Sequence, residues 1–396
     1  MNVKKQIWLV LLAVLSCIGL LIGCSFDKSS IKSNLEPSKP TVQEIQKSGL
    51  TPEKKVEASI DAMTTEEKVG QLFIVGVHGT TMNDDIRFML TEYKYGGVIF
   101  FDRNMENKDQ VKTFISDIKK TGKTGSDFPL FVAIDQEGGV VSRMADQLIQ
   151  VPFAEILGQQ DKSVAVDFAR KSGKELKDLG FNVNFAPDAD LGLGNERSYS
   201  NNPDYVIPFA HAVGQAYHDS GLVFSYKHFP GIGKTNEDLH DDSSIVDADE
   251  QTLLTQDVRV FRELAQKTPA NTYMMMVSHA VYPNLDPNIP SSLSRKIITD
   301  ILRKQIGYTG VVITDDLEMG AVANHYSFAD MAVQSILAGN DILLVCHEYE
   351  HMQEAYNGVL KAVKEGKISQ QRLNESVKRV LMLKCFRVQP AKFWLV

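Results

Sequence analysis

The stretch GVVITDD at residues 310–316 carries the pattern on which the fold prediction depends. It is a short, uninterrupted apolar run, rich in β-branched residues, that ends in ionisable side chains. Such a run predicts a strand buried on both faces, as in a parallel sheet. Seven other runs share the pattern: QLFIVGVHG (71–79), YGGVIFF (95–101), LFVAIDQEG (130–138), FNVNFAPDAD (181–190), LVFSYKHFP (222–230), TYMMMVSHA (272–280) and DILLVC (341–346).

Amphipathic segments lie between these runs. Residues 166–180 and 205–221 both end in glycine, a usual helix stop, and TTEE at 64–67 predicts a capping box. Eight strands with seven helical segments between them and a helical tail at 351–384 fit a single (β/α)₈ barrel of the TIM type. A doubly wound open sheet is the alternative, but no GxGxxG follows the first strand.

The N-terminus predicts a secretory signal. Lys4 and Lys5 precede a short apolar run, 7–22, which ends in Leu-Ile-Gly-Cys at 21–24. This ending resembles a bacterial lipobox, so residues 1–23 are expected to be a signal peptide and Cys24 to be lipidated. A plain signal peptide or an uncleaved anchor is the alternative. Residues 24–55 are rich in Ser, Lys and Pro and predict a flexible tether, which leaves 56–390 as the barrel domain.

Composition limits the classes of partner. The 396 residues are 43% hydrophobic and 23% charged, which is typical of a globular protein. The net charge of −8 argues against a nucleic-acid partner. Beyond the signal and Cys24, the chain has two cysteines, Cys346 and Cys385, whose spacing fits neither a disulfide framework nor a zinc signature.

Nearly every predicted strand ends in an ionisable group, which predicts a charge-rich pocket at the C-terminal end of the barrel. Metal-assisted hydrolysis would use paired imidazoles, and the first strand offers only His78. Sugar binding without catalysis and glycoside hydrolysis both remain open on the residues alone. The strand-end groups are His78, Asp135, Asp188, Asp190, Lys227, His228, His279, Asp315, Asp316 and His347.

Six motifs then occur in an order that resembles family 3 glycoside hydrolases, in particular their bacterial β-N-acetylhexosaminidase branch. The resemblance covers residues 60–385. The motifs are VAIDQEGGVVSR (132–143), NFAPDAD (184–190), KHFPGIG (227–233), Asp238-x-His240, MVSHAVYPNLDP (276–287) and GVVITDDLEMGA (310–321).

The resemblance implies a retaining mechanism with two catalytic groups on different elements. Asp315, which follows Thr314, matches the family nucleophile. His240, paired with Asp238 on the loop after the fifth strand, matches the general acid/base. The pairing is chemically coherent, because a nearby carboxylate stabilises an imidazolium that can protonate a leaving oxygen.

The same resemblance assigns substrate contacts. Asp135 is expected to bind ring hydroxyls and Arg197 to lie near the acetamido sugar, with Lys227 and His228 as further polar contacts. Two more contacts are expected from Arg143 and His279. Asp190 is expected either to orient its neighbours or to touch sugar, and Glu137 to organise the strand end. No metal and no organic cofactor are implied.

The chain departs from the family pattern at four positions: Val140, Asp188, Ile232 and Leu239. They affect the pocket rim and the loop after the fifth strand, where PGIG at 230–233 is the predicted hinge. The expected function is a membrane-anchored, extracytoplasmic exo-β-N-acetylglucosaminidase acting on peptidoglycan fragments or related glycans. A sugar-capturing lipoprotein without turnover and a family 3 enzyme of other sugar specificity are the alternatives.

Overall fold

A computed structural model describes residues 40–234 and 244–388. Eight parallel strands form a closed barrel, as predicted from the apolar runs. Around the barrel the strands follow the order β1-β2-β3-β4-β5-β6-β9-β10, and β10 pairs again with β1. The strands are β1 Phe73–Gly76, β2 Gly97–Phe100, β3 Phe131–Ile134, β4 Val183–Asn184, β5 Val223–Phe229, β6 Tyr273–Val277, β7 Val281–Tyr282, β8 Asp286–Pro290, β9 Val311–Asp316 and β10 Ile342–Val345.

The barrel strands are buried on both faces, which explains why they read as continuous apolar runs. Along β1, Ile74 belongs to the cluster inside the barrel, and Phe73 and Val75 belong to the layer between strands and helices. The remaining pair, β7 and β8, is a short antiparallel hairpin that follows β6. The apolar pattern did not predict this hairpin.

Helices cover the barrel. Among the described residues the α-helices are α1 Val42–Gln46, α2 Pro52–Ala62, α3 Thr65–Gly70, α4 Asp84–Phe88, α5 Lys108–Gly125, α6 Ala154–Gly158, α7 Lys162–Leu179, α8 Pro203–Asp219, α9 Glu250–Thr252, α10 Val258–Lys267, α11 Gly320–Ala323, α12 Phe328–Ala338, α13 Tyr349–Lys364 and α14 Gln370–Leu383. Wider, π-type turns occupy Met89–Tyr93, Leu253–Asp257, Lys296–Gln305 and Lys384–Val388, and 3₁₀ turns occupy Asp102–Asn104 and Ser291–Leu293. No helix of the described ranges is long and apolar enough to cross a membrane.

The predicted capping box is confirmed at the start of α3. The Thr64 hydroxyl accepts from the Glu67 N–H at 3.2 Å, and the Glu67 carboxylate accepts from the Thr64 N–H at 2.9 Å. The predicted helical tail is two helices instead of one. Gly366 adopts a positive φ of 79° after α13, which ends the helix before α14 begins.

The predicted tether was too long at its C-terminal end. Residues 42–46 and 52–62 are helical, and the hydroxyls of Thr41 and Thr51 cap α1 and α2. Val56 and Ile60 of α2 are buried in the main core, and Glu57 forms a 2.6 Å salt bridge with Lys378 of α14. Burial of these apolar side chains against α14 holds the segment on the barrel although its composition is polar. Cys24 and residues 1–39 lie outside the described residues.

Candidate active site

A cavity of about 840 Å³ opens at the C-terminal ends of the barrel strands. This is where a barrel of parallel strands and helices usually carries its chemistry. Six of the side chains predicted from the sequence line it together: Asp135, Arg143, Arg197, Lys227, His228 and Asp315. They come from different strands and loops, so closure of the barrel brings them to one place.

Asp315 lies at the end of β9 with its side chain 17% exposed. One carboxylate oxygen accepts from the Asp316 N–H at 2.9 Å, and the other lies 3.9 Å from His228 Nε2. Burial opposes ionisation, but the positive charges of His228 and Lys227 outweigh it and lower the pKa of Asp315. The group is therefore an ionised carboxylate, as a nucleophile requires.

Lys227, at the end of β5, is the buried cation of the cavity floor. Its Nζ lies 2.6 Å from Asp135 Oδ1 and 2.7 Å from Glu137 Oε1. Burial alone would lower the pKa of Lys227, but the two carboxylates raise it. Lys227 is thus charged and ties the end of β5 to the loop after β3, which carries both Asp135 and Glu137.

Arg197 forms a two-point salt bridge with Glu137, with contacts of 3.0 Å from Nε and 2.8 Å from Nη2. Burial would raise the pKa of Glu137, yet the charges of Lys227 and Arg197 hold it well below its usual range. Glu137 therefore organises the site instead of donating a proton, which agrees with the role expected from the sequence.

His228 is fixed by Asp190. Its Nδ1 lies 2.7 Å from Asp190 Oδ2, and Asp190 Oδ1 also accepts from the Ile232 N–H at 2.9 Å. Burial disfavours the imidazolium, but Asp190 outweighs it and raises the pKa of His228. Asp190 therefore orients its neighbours, which is one of the two roles predicted for it.

Asp188 differs from every other carboxylate of the cavity. It lies 3.8 Å from Arg197 Nη2 and 3.7 Å from His228 Nδ1, too far for strong pairing with either. Burial and then repulsion from Asp190 raise its pKa to about 8. Burial and the neighbouring Asp190 therefore favour the protonated form of Asp188. The sequence analysis named Asp188 as a strand-end group and as a departure from the family pattern, without a specific role.

Asp188, Asp190 and His228 are close enough in space to ligate a cation, with ligand atoms within 4.8 Å of one another. However, Asp190 already accepts hydrogen bonds from two backbone N–H groups and lies against the imidazole. The guanidinium of Arg197 also lies beside Asp188. Two backbone N–H groups and the His228 imidazole therefore already occupy the acceptor positions of Asp190.

His279 lies behind the cavity wall and does not line it. Its Nε2 lies 2.8 Å from the Asp316 carbonyl and its Nδ1 2.7 Å from Ser292 Oγ. Burial lowers the pKa of His279, so the ring is neutral, donates from Nε2 and accepts at Nδ1. Both ring nitrogens are occupied by the protein, and the ring supports the end of β9 instead of standing where a substrate contact was predicted.

His347 and Asp316, two of the predicted strand-end groups, line the cavity, although neither was assigned as a catalytic residue or a substrate contact. The imidazole Nε2 lies 3.1 Å from Asp316 Oδ2, and Arg103 donates to Nδ1 at 3.1 Å. The hydrogen bond that His347 donates to the Asp316 carboxylate raises the pKa of His347. Their position at the ends of predicted strands is the sequence feature that indicated a place in the cavity.

Arg143 reaches the cavity from the loop after β3. Its guanidinium lies 5.4 Å from the ring centroid of Phe101 and 3.3 Å from Asp102 Oδ2. The predicted catalytic pair, Asp238 and His240, lies outside the described residues.

Comparisons with known proteins agree with this site. The family model for the glycosyl hydrolase family 3 N-terminal domain matches residues 64–383. The chain is 32% identical over 293 residues to a β-hexosaminidase of Nitrosomonas eutropha, covering 71% of this chain and 82% of that protein. It is 31% identical to β-hexosaminidase A of Pseudoalteromonas piscicida, where the match covers 77% of this chain but only 56% of the relative.

Among solved structures, the fold is similar to a family 3 β-N-acetylglucosaminidase from Paenibacillus sp. FPU-7. The TM-score is 0.78 at 36% identity, and the match covers 82% of this chain and 62% of that one. The barrel, the polar cavity and the family match over residues 64–383 agree with one another. The chain therefore belongs to family 3 of the glycoside hydrolases, enzymes that hydrolyse O-glycosyl bonds.

Proposed function

We propose that this protein is a retaining exo-β-N-acetylglucosaminidase with Asp315 as its nucleophile. The observation that carries the proposal is the position of Asp315: a carboxylate at a strand end that lines the cavity, 3.9 Å from His228 Nε2. A fixed carboxylate of this kind can attack an anomeric carbon and form a glycosyl-enzyme ester.

The first step forms the bond between Asp315 and the anomeric carbon while the bond to the leaving oxygen breaks. His240, with Asp238 to stabilise its imidazolium, donates the proton to that oxygen. In the second step the neutral imidazole of His240 takes a proton from water, which attacks the same carbon and releases Asp315. The assignment of His240 rests on its sequence motif.

The polar side chains on the floor of the cavity are consistent with binding of one terminal sugar. Asp135 is oriented by Lys227 and can accept from ring hydroxyls, and Arg197 and His228 offer donors beside it. The volume of about 840 Å³ is within the range of small-ligand sites and leaves room for part of the leaving group. The N-acetylglucosamine preference draws on the named activity of the Paenibacillus relative.

The proposed location is the outer face of a cell membrane, with a lipid on Cys24 as the anchor. The N-terminal sequence supports this, since a charged start and a short apolar run precede Leu-Ile-Gly-Cys. Peptidoglycan fragments or related N-acetylglucosamine-containing glycans are the proposed substrates at that location.

Hydrolysis of a panel of nitrophenyl β-glycosides tests the function. The N-acetylglucosaminide should be cleaved fastest, and NMR should detect the β-anomer of the sugar as the first product. Binding without turnover at any pH would contradict the enzyme, and hydrolysis that a chelator abolishes would contradict the metal-free mechanism.

Asp315→Asn should lower kcat by at least about a thousand-fold, because the nucleophile is lost while the shape of the side chain is kept. Asp300→Asn is the matched control, since Asp300 is an exposed carboxylate that pairs only with Lys304 on a surface helix. Steady-state kinetics on the nitrophenyl substrate measures both. Normal turnover by Asp315→Asn would refute the nucleophile assignment.

A further inference from the structure

A second hollow, of about 220 Å³, lies at the opposite, N-terminal end of the barrel. It is formed by the last turns of α5 and α7 and the residues that lead into β3 and β4. Three lysines surround it, Lys119, Lys123 and Lys177, and its floor is apolar. We call this the basic hollow. The apolar floor consists of Phe128, Pro129, Leu130, Phe181 and Val388.

These three lysines lack acidic partners. Within the described ranges, 40–234 and 244–388, no carboxylate forms a salt bridge with any of them. The Lys119 amino group donates to the Gly180 carbonyl, and that of Lys177 donates to the Gly221 carbonyl at 2.7 Å. By contrast, Lys120 and Lys174 of the same two helices form salt bridges with Asp117 and Asp178. The chain as a whole is acidic, with a net charge of −8, so a cluster of lysines without salt bridges stands out from the rest of the protein.

All three lysines line the same hollow, and Lys119 and Lys123 lie four residues apart on one face of α5. Burial and then the charges of Lys177 and Lys123 lower the pKa of Lys119 to about 8. An anion placed between the three amino groups would relieve this repulsion. The apolar floor favours an anion attached to a hydrocarbon chain. Lysine side chains and aromatic rings are both stable at the membrane–water interface, where the headgroup of such a molecule lies.

The start of the described chain lies at the same end of the molecule. Gln43 of α1 donates to Asp127 Oδ1 at 3.1 Å, and Gln46 donates to the Asp127 carbonyl at 3.3 Å. Asp127 directly precedes Phe128 of the basic hollow. The segment that comes from Cys24 therefore joins the barrel beside the hollow. Phe386, two residues before Val388, is 38% exposed.

We propose that the basic hollow docks the protein on an anionic membrane, with the phosphate of a phospholipid headgroup between Lys119, Lys123 and Lys177. The proposal rests on the proposed membrane location. Docking through this end directs the catalytic cavity, at the other end of the barrel, away from the membrane and towards glycans outside it.

Vesicle sedimentation tests the surface apart from the lipid anchor. The chain from Ser25 onward contains every described residue and no lipid. It should bind vesicles of phosphatidylcholine mixed with phosphatidylglycerol at least about ten-fold more tightly than vesicles of phosphatidylcholine alone, and added salt should abolish the difference.

The double variant K123A/K177A should lower binding to the anionic vesicles by about thirty-fold, since each lysine near such a surface contributes about five-fold. Lys162→Ala is the matched control. Lys162 begins α7, is exposed, and lies about 22 Å along the same helix from Lys177, at the catalytic end of the barrel. The Lys162→Ala variant should bind the anionic vesicles as tightly as the unchanged protein does.

Equal binding by K123A/K177A and the unchanged protein would overturn the proposal, as would an equal loss in Lys162→Ala. Binding of inorganic phosphate without any preference for anionic vesicles would also overturn it, because the hollow would then take a soluble anion. Nitrophenyl N-acetylglucosaminide hydrolysis, measured in the same samples, should stay unchanged in the variants. Its absence from every sample would contradict the proposed function and leave the vesicle result standing.

Discussion

Asp188 and Asp190 show how neighbours decide the chemistry of a residue. Both are buried at the end of β4, two positions apart. Asp190 accepts from two backbone N–H groups and pairs with His228. Asp188 accepts one hydrogen bond, from the Asp190 N–H at 2.7 Å, and its closest cationic side chains are 3.7 and 3.8 Å away. The pKa of Asp188 is therefore raised to about 8.

Asp188→Asn should gain stability relative to the unchanged protein as the pH rises. Asp188 has a folded-state pKa of about 8 and an unfolded value of about 3.9, so between these values the native state holds one proton more. Its contribution is fully present below about pH 4 and falls towards pH 8, by at most about 1.4 kcal/mol per pH unit. Denaturant unfolding from pH 5 to pH 8 measures the difference between the two proteins. A difference that does not change with pH, as expected for Asp300→Asn, would count against a protonated Asp188.

At the level of elements, the end of β5 carries residues of the cavity floor, and the segment after it, 230–234, is held against neighbouring elements. Lys227 and His228 end the strand on the cavity floor. Beyond them the Gly231 carbonyl accepts from Tyr282 Oη at 2.9 Å, and Lys234 pairs with the buried Asp257. A Cβ on Gly231 would lie 2.8 Å from the Asp257 Cβ. These contacts fix PGIG against the barrel, so the structure does not support the predicted hinge at 230–233.

The chain is fixed again after the segment that carries His240. Val246 N–H donates to the Val281 carbonyl at 2.9 Å, and Val281 N–H donates to the Ser244 carbonyl at 2.9 Å. The residues on both sides of the segment 235–243 are thus held in place: Lys234 lines the cavity and pairs with Asp257, and Ser244 and Val246 bond to β7 of the hairpin after β6. Their attachment is consistent with a catalytic group in this segment.

His240→Ala should lower kcat/KM by about a hundred- to ten thousand-fold on substrates with poor leaving groups and much less on nitrophenyl glycosides. A poor leaving oxygen needs a proton in the transition state, whereas nitrophenolate does not. A plot of log kcat/KM against leaving-group pKa should therefore be steeper for the variant. His218→Ala is the control, because His218 lies in the last turn of α8 and does not line the cavity. Equal loss on all substrates would refute the acid/base role.

At the scale of the whole molecule, the two ends of the barrel differ. The C-terminal end is a wide polar cavity, whereas Lys384 fills the N-terminal end. The Lys384 Nζ donates to Gln71 Oε1 at 2.7 Å and to the Gly96 carbonyl at 2.8 Å, and it lies 5.0 Å from the Phe131 ring centroid. Burial lowers the pKa of Lys384 to about 7, and no carboxylate of the described ranges forms a salt bridge with it.

Lys384→Met should remove a pH dependence of stability above neutrality. The folded-state pKa of about 7 lies below the unfolded value of about 10.4, so the native state binds fewer protons between them. The contribution of Lys384 is fully present above about pH 10 and is lost as the pH falls to 7, by at most about 1.4 kcal/mol per pH unit. Denaturant unfolding at pH 7 and pH 9 compares the proteins. If Lys384→Met and the exposed control Lys361→Met show the same pH dependence, the buried-lysine account is wrong.

The fold could be read from the chain because each barrel strand buries both faces. Runs such as 310–316 and 341–346 are apolar without a break, and no local turn pattern competes with them. Strand ends also predicted the cavity, since parallel closure places them at one rim. The limits of the N-terminal helices were missed, because Val56 and Ile60 are held by α14, which is remote in sequence.

The sequence by itself determined the barrel, its polar end and the identity of the cavity's charged groups, because period and composition are local properties of the chain. Only the tertiary structure decided which of these groups pair. Arg197 pairs with Glu137, whereas Asp188 lies 3.7 Å or more from its nearest cationic side chains. His279 lies behind the cavity wall, and three lysines surround the basic hollow. The physical reason is that ionisation and pairing depend on burial and on distances of a few ångströms between side chains, and closure of the barrel sets those distances.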